Sequence, residues 1–167
     1  MTGKTPAGVR FLSDEMMKKA AKWLRLLGHD TEFFEGSDTA VLRRAGESGR
    51  VLLTKDEELA RRAKEAEVEY FLLPQEKLEE DLARIIERYG LEMGFPDKTR
   101  CPECNGGLEG RDCASLEGIP KDVIAEKRRC WKCASCGKNY WEGGHWKNIK
   151  KVLGKIEEQR RILRKKK

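Results

Sequence analysis

Three aspartates in the first half of the chain have the type and spacing for metal chemistry. Asp14 directly follows the apolar run "VRFLS", Asp38 lies four residues after "TEFF", and Asp56 lies two residues after "RVLLT". If these runs are parallel strands, their carboxyl ends meet at one edge of a sheet, where ligands bind. Carboxylate oxygens select hard cations such as Mg²⁺ and Mn²⁺, which activate water and neutralise phosphate charge. The pattern therefore predicts a divalent-metal site for phosphodiester hydrolysis.

Each aspartate also has a simpler interpretation as a helix cap. Asp14 and Asp38 lie where helices are predicted to begin, and "TKDE" from Thr54 to Glu57 matches a capping box, with Asp56 in the first turn. Gathering three carboxylates in one crevice would raise some of their pKa values unless a cation were present. Both interpretations stay open here, and the choice depends on whether the three side chains reach the same place.

All six cysteines lie between Cys101 and Cys136, and they suit a second kind of metal site. The pairs "CPEC" and "CASC" have the C-x₂-C spacing of structural zinc sites. An asparagine follows one pair and a glycine the other, and both residues tolerate the positive φ that a zinc knuckle needs. We therefore predict a closed tetrahedral Zn²⁺ site made by four thiolates: Cys101, Cys104, Cys133 and Cys136.

The two remaining cysteines have an alternative pairing. Cys130 and Cys133 also form a C-x₂-C pair, but Trp131 after Cys130 favours a strand over a knuckle. Clustered cysteines with zinc-like spacing indicate a reducing compartment and not a secreted disulfide framework. We therefore interpret Cys113 and Cys130 as buried or free thiols, with a redox role as the alternative.

Charge is distributed unevenly along the chain. Residues 1–96 contain 16 Lys and Arg against 19 Asp and Glu, whereas residues 97–167 contain 19 against 10, so the net charges are −3 and +9. A basic segment beside an acidic one suits a polyanionic partner such as RNA, although a solvated basic surface is the simpler alternative. In "KNYWEGGHW", aromatic and basic residues interleave as in base-stacking surfaces, so Lys138, Trp141 and His145 are candidate RNA contacts. At least one tryptophan of this segment should instead belong to a core.

The elements that position these residues are predicted to alternate between strand and helix. Apolar runs predict strands at 9–13, 31–34, 50–54 and 69–74. Helical periodicity follows each strand, at 14–28, 37–49, 55–66 and 75–90; Met16 falls on the inward stripe of the first helix, and Gly28 stops it. This order implies βαβ units, and hence an α/β fold with a parallel sheet flanked by helices. A basic amphipathic helix is predicted from Lys147 onward.

Composition shifts divide the chain into three predicted parts. Two glycines and a proline mark residues 90–100 as a linker. The parts are an α/β domain at 1–92, a zinc ribbon at 97–146, and a basic helix and tail at 147–167.

Several classes of protein are disfavoured by the sequence. No apolar run approaches the length of a membrane span, and the amino terminus lacks a signal segment, so a cytoplasmic protein is expected. Serine-hydrolase and P-loop motifs do not occur, and His29 and His145 lie in different predicted parts, which argues against a histidine-pair nuclease. Abundant Lys, Glu and Arg beside few amides resemble the composition of a thermophile's protein.

Taken in order, "FLSDEMMKKAAKWLRLLGHDTEFF", "SDTAVLRRA", "RVLLTKDEEL", "YFLLP", "RCPECNGGL" and "CASCGKNYWEGGHW" resemble the Mut-seven C-terminal RNase family. The resemblance implies a PIN-like nuclease domain with a zinc ribbon, a Mg²⁺ or Mn²⁺ cluster at Asp14, Asp38 and Asp56, and an RNA substrate. It also implies products with a 3′ hydroxyl and a 5′ phosphate. Asp30 matches the family pattern as well, but it precedes the second strand and should point elsewhere. Arg25 matches too and is expected to pair with one of the acids or touch a phosphate.

The sequence thus predicts a metal-dependent ribonuclease whose zinc ribbon binds RNA. Lys18, Ala20 and Lys22 depart from the family pattern in the first helix, so the packing under the site can differ. One alternative is a non-catalytic RNA- or ribosome-binding protein, in which salt-sensitive RNA binding would survive Asp14→Asn and Asp56→Asn. A second is a protein-interaction or toxin-like module, which would form a defined complex with a partner chain and bind RNA weakly.

Overall fold

The computed structural model describes residues 8–74 and 77–166. The predicted start of the first domain, the start of its last helix at residues 75–76 and the final residue of the tail lie outside these ranges.

Four short strands form a parallel sheet, in the spatial order β2-β1-β3-β4. Phe11 of β1 lies beside Thr31 of β2 on one side and Val51 of β3 on the other. All four residues of β3 are buried, as expected for an inner strand of a parallel sheet that is covered on both faces. The strands are β1 Phe11–Ser13, β2 Thr31–Phe33, β3 Val51–Thr54 and β4 Tyr70–Leu72.

A helix follows each of these strands, which confirms the predicted α/β fold. Neighbouring residues of a strand point to opposite faces of the sheet. Phe11 and Leu53 accordingly pack with α1 and α4, whereas Leu12 and Leu52 pack with α2 and α3. The helices are α1 Lys18–Leu26, α2 Asp38–Ser48, α3 Glu57–Glu65 and α4 Leu78–Tyr89.

The entry into α1 differs from the prediction. Met16 was expected on the inward stripe, but it is exposed and Met17 is buried. A 3₁₀ turn at Glu15–Met17 precedes α1. Because a 3₁₀ turn has fewer residues per turn than an α-helix, the phase of the helical stripe changes and Met17 takes the core position.

The second half begins with a three-stranded antiparallel sheet. Its strands are β5 Leu108–Arg111, β6 Cys130–Cys133 and β7 Asn139–Trp141, in the order β5-β6-β7. The connection from β5 to β6 contains a 3₁₀ turn at Cys113–Ser115 and the short helix α5, Lys121–Ala125. Val123 of α5 is buried between these segments.

Cys113 and Cys130 are both buried, as one of the predicted alternatives has it, but the interpretation of them as thiols is wrong. Their sulfurs are bonded, with 5.3 Å between the two Cα atoms. The chain folds back so that the 3₁₀ turn lies against the start of β6, which sets the two cysteines side by side. The two cysteines are 17 residues apart in the sequence, and this spacing alone does not predict that they pair. The disulfide pins the connection that carries α5 to the ribbon.

The predicted linker at 90–100 packs against the first sheet's helices. The Gly94 amide donates to the Leu27 carbonyl at 2.9 Å, and the Thr99 hydroxyl donates to the Leu26 carbonyl at 2.7 Å. The Arg100 amide donates to the Arg25 carbonyl at 2.9 Å. The boundaries at residues 92 and 97 stay predictions, and these contacts join the segments on either side.

The last helix, α6 at Trp146–Lys165, docks on α4. Ile156 is fully buried in the same core as Phe11. Arg160 and Arg164 both donate to the Glu87 carboxylate of α4, at 2.7 Å from Arg160 Nε and 2.7 Å from Arg164 Nη2 to Oε1. Within residues 8–74 and 77–166, no helix is both long and apolar enough to cross a membrane.

Candidate active site and metal centre

Asp14, Asp38 and Asp56 line one open cleft of about 170 Å³. Each comes from a different strand-to-helix connection, and all three connections lie at the carboxyl edge of the parallel sheet. The strand order places β1 between β2 and β3, so the acid after β1 lies between the other two connections. The three side chains therefore border the same cleft, and their role as ligands of one metal ion stays a prediction.

Asp14 is the most enclosed of the three, with 7% of its surface exposed. Its Oδ1 accepts from the Met17 amide at 3.2 Å, and its Oδ2 accepts from the Thr54 hydroxyl. Burial raises the pKa of Asp14, the two hydrogen bonds lower it in part, and the nearby charge of Asp56 raises it further. A cation in the cleft would favour the ionised carboxylate, because opposite charge stabilises it.

Asp56 is the cap of α3, and the predicted capping box is wrong. Its Oδ1 accepts from the Leu59 amide at 3.0 Å. Thr54 was expected at the capping position, but it is the last residue of β3, and its hydroxyl accepts from the Asp56 amide at 3.0 Å. The same hydroxyl donates to Asp14. Thr54 thus connects the Asp14 carboxylate to the backbone amide of Asp56. The capping-box pattern did not predict this role.

Asp38 does not cap α2, because Ser37 does so through its side chain. Instead, Asp38 Oδ2 accepts from Arg62 Nη1 of α3 at 2.9 Å, and Arg62 also reaches the Thr39 hydroxyl at 2.8 Å. Lys55, next to Asp56 in sequence, extends to Asp81 of α4, with 2.6 Å between Nζ and Oδ2. Arg62 thus neutralises one of the three carboxylates of the cleft.

The three carboxylates are spread round the cleft and do not form a tight ligand set. Among the described residues, the four cysteines form a group that could hold a metal ion, with ligand atoms all within 4.8 Å of one another, and the three aspartates do not form such a group. The donors of the cleft are nonetheless carboxylate oxygens, which fit Mg²⁺ or Mn²⁺. Asp56 and Asp38 each keep one oxygen that no hydrogen bond of the described residues uses.

Cys101, Cys104, Cys133 and Cys136 are brought together as predicted. Cys101 Sγ lies 3.7 Å from Cys136 Sγ, and Cys104 Sγ lies 3.4 Å from Cys133 Sγ. Zn–S bonds of about 2.3 Å in a tetrahedron separate the sulfurs by about 3.8 Å. The four cysteines therefore have the dimensions of a site for a metal ion such as zinc.

The pKa values of the clustered cysteines also favour a bound cation. Burial raises the pKa of Cys104, and the other sulfurs raise it further, to about 12. Burial also opposes ionisation of Cys133, but hydrogen bonds from the Cys136 and Ser135 amides lower its pKa to about 7. One thiolate therefore forms readily, whereas ionising all four needs a positive charge among them.

Asn105 builds one knuckle and also ties it to the parallel sheet. Its φ of 68° and that of Gly137, 73°, match the positive φ predicted after each cysteine pair. Asn105 Oδ1 accepts from the Thr31 amide at 3.1 Å, and its Nδ2 donates to Asp30 at 2.7 Å. Asp30 also accepts from Arg50 Nη1 at 2.7 Å. Asp30 does not line the acidic cleft, in agreement with the prediction that it points elsewhere.

Arg25 lies away from the acids with which it was expected to pair, and its contact with a phosphate stays a prediction. Its guanidinium is buried and donates to three backbone carbonyls: Thr31 O at 2.7 Å, Pro102 O at 2.8 Å and Glu103 O at 3.0 Å. Burial lowers its pKa, and the nearby thiols and Glu103 oppose that shift. Arg25 pairs with none of the three acids of the cleft, and it fastens the first cysteine knuckle to α1 and β2.

A family model described as the Mut7-C RNAse domain matches residues 9–153. The chain belongs to the Mut7-C RNase domain family. The matched range contains the three aspartates and all four clustered cysteines, so the resemblance found in the motifs is confirmed. No curated protein matches the chain, and no solved structure does.

The candidate RNA contacts of this Mut7-C chain lie in different surroundings. Lys138 is exposed, and its Nζ lies 6.0 Å from the centre of the Tyr140 ring. Trp141 packs on the small core around the disulfide, and His145 is exposed just before α6. Trp146 is buried against Trp131, with 6.0 Å between ring centres. The expectation of at least one core tryptophan is confirmed, and RNA contact by the others stays a prediction.

Proposed function

We propose that this chain is a metal-dependent ribonuclease of PIN-like type, which hydrolyses RNA phosphodiesters in the cleft of Asp14, Asp38 and Asp56. The observation that carries the proposal is the shared cleft at the carboxyl edge of the sheet, in a chain of an RNase domain family. Membership of that family supports a nuclease acting on nucleic acid, and RNA is the substrate that its description names.

The three carboxylates would hold Mg²⁺ or Mn²⁺ in the cleft. Such an ion, when bound, would make a water more acidic and neutralise charge on the phosphate. Neighbouring side chains would hold the carboxylate oxygens in the orientation that the ion needs. Asp14 is fixed by Thr54 and the Met17 amide, and Asp38 is fixed by Arg62. Partners of this kind hold ligands in one orientation and raise metal affinity.

The zinc ribbon and the last helix would bind the RNA strand. Residues 97–167 carry a net charge of +9, and even after four thiolates and Zn²⁺ this segment remains strongly basic. Lysines and arginines that contact phosphates supply sequence-independent affinity. By the family's analogy, cleavage would leave a 3′ hydroxyl and a 5′ phosphate.

The test is cleavage of end-labelled single-stranded RNA by the purified chain with Mg²⁺ or Mn²⁺. Reactions with EDTA, and with the double variant Asp14→Asn/Asp56→Asn, serve as controls. Asparagine caps a helix about as well as aspartate, so Asp56→Asn keeps the cap of α3 while removing the charge. We expect a loss of at least about a hundredfold in cleavage rate for the double variant.

An RNA-binding protein without catalysis is the second candidate function. Two observations favour it: Asp14 and Asp56 each cap a helical turn, and among the described residues the cysteines, not the three acids, form a group that could hold a metal ion. In that case the chain would bind RNA tightly at low salt, leave it intact with every cation, and bind it equally well after both substitutions. That result would overturn the nuclease proposal.

A further inference from the structure

The cleft of the three aspartates has an apolar lining as well as an acidic one. Met16, Phe34, Val41 and Leu59 also line it. Val41 and Leu59 are buried and belong to the core between the sheet and α2 and α3. Met16 does not belong to a core, because 55% of its surface is exposed and Met17 occupies the inward position.

Phe34 is held in place at the edge of this lining. It directly follows β2, and its amide donates to the Ser13 carbonyl at 3.0 Å. Its ring packs on the core that contains Val41. A Cβ atom at Gly36 would lie 3.1 Å from Phe34 Cε1, so the glycine leaves room for the edge of the ring. One aromatic side chain is thus fixed next to the carboxylates and remains half-buried.

A ligand that contacts both linings needs a flat apolar face close to an anionic group that a cation can hold. A free phosphate would use only the acidic lining. A nucleotide carries both groups, because every base has a π-face that stacks on aromatic side chains. Methionine adds to such a surface, since its flexible thioether makes favourable contacts with aromatic rings.

We propose that Met16 and Phe34 form a base-binding subsite, which makes the cleft selective for unpaired nucleotides of RNA. This inference rests on the proposed function, because the phosphate next to the bound base is the one that would be hydrolysed. In a duplex the faces of a base are covered by its neighbours, and the base must be unstacked before it can reach a side chain. The subsite therefore selects single-stranded over duplex RNA.

The test measures binding of a short fluorescent RNA, as a single strand and as a duplex of the same sequence, with Ca²⁺ in place of Mg²⁺ or Mn²⁺ so that a cation holds the phosphate. The variants are Met16→Ser and Phe34→Leu, which remove the thioether and the aromatic face. Loss of one base-stacking contact weakens binding by roughly tenfold. We expect each variant to lose about that factor for the single strand and to bind the duplex like the wild type.

Leu72→Ser is the matched control, because Leu72 is a large apolar residue of β4 that is 38% exposed and lines no part of the cleft. It should bind both RNAs like the wild type. Met16→Ser changes an exposed residue outside the cores, so it remains informative even if Phe34→Leu folds poorly. The subsite is overturned if Met16→Ser binds the single strand like the wild type, or if it weakens binding of both RNAs equally. Because this assay needs no cleavage, its failure is separate from a failure of the nuclease proposal.

Discussion

At the scale of single residues, Asp14 combines two demands that conflict. Its carboxylate accepts hydrogen bonds from the Met17 amide and the Thr54 hydroxyl, which favour the folded state. Burial and the nearby charge of Asp56 disfavour its ionised form. Its raised pKa means that the folded protein without metal binds a proton at this site more readily than the unfolded chain does. The ionised form of Asp14 therefore reduces stability until a cation is bound.

Asp14→Asn should consequently stabilise the metal-free protein at neutral pH. Asparagine can still accept from the Met17 amide, and it removes the buried charge. The wild type loses stability as the pH rises from the ordinary aspartate range through the raised pKa of Asp14, and the variant does not. The two should have equal thermal midpoints in acid and diverge towards neutral pH, which calorimetry at several pH values would measure.

Added Mn²⁺ provides the complementary measurement. A ligand that binds only the folded state raises its stability in proportion to the logarithm of its concentration. Mn²⁺ should raise the midpoint of the wild type and leave that of Asp14→Asn unchanged. Asp97→Asn is the control, because Asp97 is 82% exposed and should change stability by less than about 0.5 kcal/mol. If Asp14→Asn were less stable than the wild type at neutral pH, the claim that the buried charge of Asp14 destabilises the metal-free protein would be wrong.

At the scale of elements, α6 belongs to the core of the first sheet as much as to the basic surface. Val152, Leu153 and Leu163 pack against the core that contains Ile156, and Glu87 of α4 holds two arginines of α6. The amphipathic stripe was visible in the sequence. Its docking partner was not, because α4 and α6 are far apart in the chain and their contact is decided only on folding.

Ile156→Ala should therefore destabilise the whole α/β domain and not only the last helix. Truncating a fully buried isoleucine to alanine costs about 3 kcal/mol, through lost burial and the cavity that remains. Urea unfolding, followed by helical circular dichroism, would measure the loss as a single shifted transition. Ile162→Ala on the same helix should change the free energy of unfolding by less than about 0.5 kcal/mol. A separate early transition for α6 would contradict its place in the shared core.

The elements that the sequence predicted best are those with strong local patterns. Four strands, their helices, Gly28 as a stop and the two cysteine knuckles all follow from periodicity or spacing. The 3₁₀ turn before α1 escaped prediction because its change of phase is small and local. The disulfide, the contacts of Arg25 and the role of Thr54 escaped because each joins positions far apart in sequence, which only the tertiary fold brings together.

At the scale of the whole molecule, the cysteine cluster and the parallel sheet are mechanically connected. Arg25 reaches the carbonyls of the first knuckle, and Asn105 of that knuckle bonds the Thr31 amide at the start of β2. The exposed pair of Lys22 and Glu103, with 3.0 Å between Nζ and Oε1, adds little, because such pairs contribute under about 1 kcal/mol. A change at the four clustered cysteines should therefore alter the hydrogen bonding of β2.

Removal of the metal should raise the hydrogen-exchange rate of the Thr31 amide. Without the ion the four sulfurs lose the bonds that hold them together, the knuckle loosens, and Asn105 no longer holds its acceptor against Thr31. The Leu53 amide, inside β3, should remain protected. Selective reduction of the Cys113–Cys130 disulfide is the control, since that bond lies in the other part of the ribbon and should leave Thr31 protected. An unchanged Thr31 rate after metal removal would contradict the connection.

The two knuckles differ in the residue that follows the second cysteine, and this difference has an evolutionary consequence. Gly137 only turns the chain, whereas Asn105 turns it and also holds Thr31 and Asp30 through its side chain. Glycine adopts a positive φ more easily, so a substitution to glycine would be accepted after the second cysteine pair and disfavoured after the first. In an alignment of Mut7-C relatives, glycine in the place of Asn105 should therefore appear together with the loss of Asp30, as covariation between distant parts of the chain.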